Sequence, residues 1–66
     1  MPGKIKSLIR QLIHLRVGDN PHLEAPFKIK LIMKGIDPDL YDEHSLDDPV
    51  IIQRLHSIAK SMGHSL

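Results

Sequence analysis

His14, His22, His44, His56 and His64 are the residues of this chain best suited to hold a metal or to move a proton near neutral pH. No two of them lie three or four positions apart, the spacing that sets two ligands on one helical face. His44 follows Asp42 and Glu43, the nearest approach to a mixed ligand set. The acidic stretch is no calcium loop. Counted from Asp37, it has aspartate where the glycine of the sixth position and the bidentate glutamate of the twelfth belong. Ser57 follows His56, but adjacent helical residues point apart, so the pair makes no nucleophile and base. Without cysteine there is no thiol nucleophile, zinc-thiolate site, iron-sulfur cluster or disulfide framework. Neither a glycine-rich phosphate loop nor a nucleophile elbow is present. The expectation is no catalysis, no metal, no cofactor and no small-molecule substrate.

Charge is the second resource, and it is segregated. Residues 1–34 carry seven cations against two anions, a net +5, whereas residues 35–66 carry two cations against six anions, a net −4. Either the two halves neutralise each other within the fold, or each is offered to a partner, including head to tail to another copy. Lys6, Arg10, Lys28 and Lys30 make one basic face if the first two helices pack side by side, which is the alternative reading: a nucleic-acid-binding protein. A helix-turn-helix does not fit. The connection before the last helix is about a dozen residues, and that helix opens on Asp47 and Asp48, whose sign opposes phosphate. Phe27 and Tyr41 alone can stack on bases. No apolar run exceeds three residues, far short of the roughly 20 that span a bilayer, so no membrane partner is expected.

Three segments must position these groups. Ile5, Leu8, Ile9, Leu12 and Leu15 recur at helical spacing, which predicts a helix over 4–17 stopped by Gly18. Pro26 and Gly35 bracket a second helix over 26–34, with Ile36 folding back onto Leu31. Phe27, Ile29, Leu31 and Met33 also alternate with lysines, so the alternative is an α+β chain with a small hairpin near residues 13–33. Asp48 as N-cap, Pro49 at the first position and Gly63 after the end predict a third helix over 49–62. Asn20 is expected to cap at most one short turn after Pro21, and Asp37 with Pro38 to start another, from which Leu40 or Tyr41 pins the connection. The expected core is Ile5, Leu8, Ile9, Leu12, Phe27, Leu31, Ile51, Leu55, Ile58 and Met62.

The fold class that follows is all-α, a compact three-helix domain over 1–66. At 66 residues it falls below the ~70 to 80 at which a single core suffices, so dimerisation is expected to help. The apolar residues of the first helix spread over roughly 200°, about double the stripe one neighbour covers. Ile9, Ile13 and Val17 are therefore the expected self-association surface. With no cysteine and no apolar leader stretch, the cytoplasm is the expected compartment. The leading functional expectation is a small protein-protein interaction module, a regulator or adaptor that docks onto itself and onto another protein.

Overall fold

The computed structural model describes residues 2–64. Among them are three α-helices, α1 (Lys4–Val17), α2 (Glu24–Met33) and α3 (Pro49–Ser61), with single 3-10 turns at Pro21–Leu23 and Pro38–Leu40. No strand occurs among the described residues, so the hairpin alternative near residues 13–33 is incorrect. The alternation behind it belongs to a helix with two apolar sides. Residues two apart on a helix lie nearly opposite, so Phe27 and Leu31 enter the core while Ile29 and Met33 point the other way.

α1 packs against both other helices. Ile5, Leu8, Ile9, Leu12 and Val17 are all buried, Ile13 is half-buried and Leu15 is exposed. Its wide apolar arc is thus largely covered by its own chain. The start of α1 is unusual, because its N-cap is Gly3, which has no side chain to offer. Asp47 supplies the missing acceptor from far along the sequence: the Lys4 backbone N–H donates to its Oδ1 at 3.0 Å. Beside it, the Gly3 N–H donates to the Ser45 carbonyl at 3.0 Å.

α2 begins two residues earlier than expected. The turn at Pro21–Leu23 runs straight into it, and Pro26 falls within the first helical turn, where a missing N–H costs nothing. Asn20 accepts the Leu23 N–H through its backbone carbonyl at 2.9 Å rather than through its side chain. The C-terminal stop is as expected. Gly35, at φ +88°, donates to the Ile32 carbonyl, and the Ile36 N–H donates to the Leu31 carbonyl, both at 2.9 Å. That Schellman closure returns Ile36 to the core beside Leu31.

α3 is built from its own local signals. The Asp48 carboxylate accepts the Val50 N–H at 2.9 Å, Pro49 opens the helix, and Gly63 and His64 close it by the same Schellman pattern, their N–H groups donating to Lys60 and Ala59. Leu55, Ile58 and Ala59 are buried. Ile51 and Met62, expected in the core, are half-buried at its edge; Val17, Ile36, Ala59 and Pro38 are the buried residues that expectation omitted. In the connection between α2 and α3, Asp37 accepts the Asp39 N–H at 3.0 Å to start the expected turn. Tyr41 packs against the core, while Leu40 is exposed.

Candidate docking surfaces

The expected self-association residues do not form one free surface. Ile9 is 1% exposed and Val17 7%, both consumed by the chain's own core, so of the three only Ile13 keeps appreciable open area. The chain turns back at Pro21–Leu23 and packs on α1, and Val17 belongs to the core cluster. Together the three floor an open groove of about 450 Å³ between α1 and α2.

Lys6, Arg10 and Lys28 line that same groove, so the structure gathers three of the four residues of the expected basic face. Two of them already have anionic partners. Arg10 Nη2 lies 2.8 Å from Glu43 Oε1, and Lys28 Nζ lies 3.5 Å from Glu24 Oε1 one turn back on α2. Arg10, Glu43 and Glu24 are exposed and Lys28 is half-buried, so each pair is worth little to stability. They nevertheless lower the charge a nucleic acid would meet. Lys30 lies elsewhere, on the other flank of α2 beside Arg16.

That second flank was not anticipated. Arg16 and Lys30 border one shallow depression, Lys34 and Arg54 border another, and Lys30 and Lys34 are one turn apart. None of these four cations makes a salt bridge among the described residues.

The acidic stretch is folded on itself and onto α1. Asp42 accepts the His44 N–H at 2.7 Å and meets the Ser45 hydroxyl at 3.4 Å. The His44 N–H, assisted by the charge of His44 and by Ser45, holds the Asp42 carboxyl below the ordinary aspartate value. Glu43 is lowered likewise, by its own backbone N–H and then by the Arg10 guanidinium. Among the described residues, no group of three histidines or carboxylates is placed to hold a metal ion.

The largest unexplained feature is the outer side of α2. Ile29, Ile32 and Met33, at spacings of three and four, form one apolar stripe opposite Phe27 and Leu31. Met33 is 82% exposed. Nothing in the described chain covers this stripe, and Lys28 and Lys30 flank it. Ile29 and Met33 belong to the alternation that suggests a strand, and Ile32 is the residue that breaks it. No helix among the described residues is long and apolar enough to cross a membrane. Comparison with protein-family models, with curated proteins and with solved structures finds no match for this chain.

Proposed function

We propose that this chain is a small cytoplasmic protein-protein interaction module, a regulator or adaptor that works by docking and carries out no catalysis. The observation that carries this reading is the second apolar side of α2, formed by Ile29, Ile32 and Met33. A helix apolar on both sides is stable when both are covered. The chain's own core covers one, and a partner protein covers the other. Lysines on both flanks of the stripe select a partner with acidic groups at its rim.

The test is a photo-crosslinking amino acid placed at Met33 and, as a control, at Gln53 on the polar side of α3, in the protein expressed in its native cell. Discrete protein adducts at Met33, lost when Ile29 and Ile32 are changed to Ser, are expected. Equal labelling at Gln53, or none at Met33, overturns the reading.

A second reading, nucleic-acid binding, rests on a different observation: the row Arg16, Lys30, Lys34 and Arg54 has no carboxylate partner among the described residues. Four phosphate contacts would make the logarithm of affinity fall with the logarithm of salt at a slope of about −3 to −4. Retardation of DNA or RNA at low salt that weakens with this slope, and is lost in the Lys30→Glu/Arg54→Glu variant, supports it. No retardation at micromolar protein removes it.

A further inference from the structure

Five of the seven large exposed apolar side chains among the described residues fall in two stretches with opposite charge surroundings, Leu15 and Leu40 being the other two. Ile29, Ile32 and Met33 stand on α2 between lysines. Leu46 and Val50, 84% and 60% exposed, stand on either side of Asp47 and Asp48 at the start of α3, with Asp42 shortly before. Asp47 and Asp48 each accept a backbone N–H. Each surface therefore offers what the other lacks, an apolar centre with a rim of the opposite sign.

We infer that the occupant of the α2 stripe is a second copy of this chain, which presents Leu46 and Val50 in a head-to-tail contact. This rests on the docking role assigned to α2 above and names its partner. A contact of α2 on α2 is disfavoured, since it brings Lys28, Lys30 and Lys34 toward their own copies. The acidic surface on itself crowds Asp47 and Asp48 in the same way. Only the unlike pairing buries both apolar centres and lets both rims attract.

Two properties follow. The contact is weak, because so few side chains on each side fall short of the roughly 800 Å² per partner of a standard interface. It is also heterologous, leaving one stripe and one acidic surface unused at the two ends of a pair, so copies add in a row unless the rotation closes a ring. Added salt screens the rims and loosens the association.

Complementation between two variants tests the inference. Ile29→Ser/Met33→Ser destroys the α2 stripe, and Leu46→Ser/Val50→Ser destroys the acidic surface; all four positions are exposed, and helical circular dichroism confirms that both proteins fold. In sedimentation equilibrium at increasing concentration, the unaltered chain is expected to exceed the monomer mass and to continue past the dimer. Each variant alone stays monomeric. An equimolar mixture recovers a dimer and nothing larger, because it holds one intact surface of each kind. Lys30→Glu, which leaves the apolar residues in place, weakens self-association at least tenfold at low salt. A mixture that stays monomeric while the unaltered chain associates overturns the head-to-tail contact. An unaltered chain that is monomeric at millimolar concentration and low salt overturns a second copy as the occupant, while adducts at Met33 with a different protein still uphold docking by α2.

Discussion

The start of α1 and the outer side of α2 both lie in the basic half of the sequence, yet the chain treats them in opposite ways. The start of α1 receives its counterpart from within: Asp47 accepts the Lys4 N–H and Ser45 accepts that of Gly3, while Glu43 meets Arg10 further along the helix. The outer side of α2 receives nothing from the described residues. The charge separation along the sequence therefore serves two ends. Part of it closes the fold, and part is left on show beside apolar residues. An intramolecular contact of this kind leaves its mark on stability, whereas a surface reserved for a partner leaves its mark on association alone.

The largest effect separates the two sides of one helix. Leu31→Ala, on the inner side of α2, and Leu55→Ala on α3 are each expected to cost about 2–5 kcal/mol in chemical denaturation, because both side chains are fully buried. A loss below about half a kcal/mol would put either residue outside the core.

Gly3→Ala comes next. Gly3 has φ +93°, which alone costs a side-chain-bearing residue about 1–2 kcal/mol, and an added Cβ would lie 2.7 Å from the Glu43 carbonyl oxygen. The variant should lose at least that much and also loosen the acidic stretch, read as faster amide exchange at the Lys4 N–H. Unchanged exchange would mean that the stretch does not depend on this close approach.

Asp47→Ala removes the cap of α1 and Asp48→Ala that of α3, and each is expected to cost about 1 kcal/mol. Equality is the point of the comparison. If thermal melts show Asp47→Ala to be silent while Asp48→Ala destabilises, a cap supplied from a distant residue is worth less than a local one.

Acidification gives a smaller, graded effect. Asp42 and Glu43 have folded-state values below their ordinary ones, so the stability they add is present above the unfolded values near pH 4 and is lost as pH falls through the folded ones. Amide protection at His44 should fade in that window, and Arg10→Gln should raise the Glu43 midpoint followed by NMR. A Glu43 midpoint that does not move would mean the guanidinium contributes nothing there.

The smallest effect on stability belongs to Met33→Ser, within about half a kcal/mol, since the side chain is already exposed to water. A larger loss in the monomer would show that the stripe supports the fold and would erase the contrast with α1.

What could be read from the sequence follows how far apart the interacting residues are. α3 was legible because Asp48, Pro49 and Gly63 act on groups a few positions away. The same holds for the return of Ile36 onto Leu31 through Gly35. The Asp47 cap was not legible, because nothing local to Lys4 points across 43 residues. Periodicity showed how wide the apolar arc of α1 is but not what covers each part, so Ile9 and Val17 were assigned to an interface that the chain's own packing fills. The basic face was half legible: α1 and α2 bring Lys6, Arg10 and Lys28 together, whereas Lys30 follows the turn of α2 to the far flank and joins Arg16. The row with Lys34 and Arg54 depends on how α3 lies against the end of α2, which no local pattern encodes.

The distant cap also orders events in time. During synthesis Lys4 is made before the carboxylate that completes the first turn of α1, which is added 43 residues later. Until then α1 starts on a glycine with an unanswered N–H, and a nascent helix of this length is marginal in water. The beginning of α1 is thus fastened only after the residues of α2 have been made, whereas α3 carries its own cap in Asp48. Making the contact between Lys4 and Asp47 closes a long loop, an entropic cost that a local cap such as Asp48 does not carry.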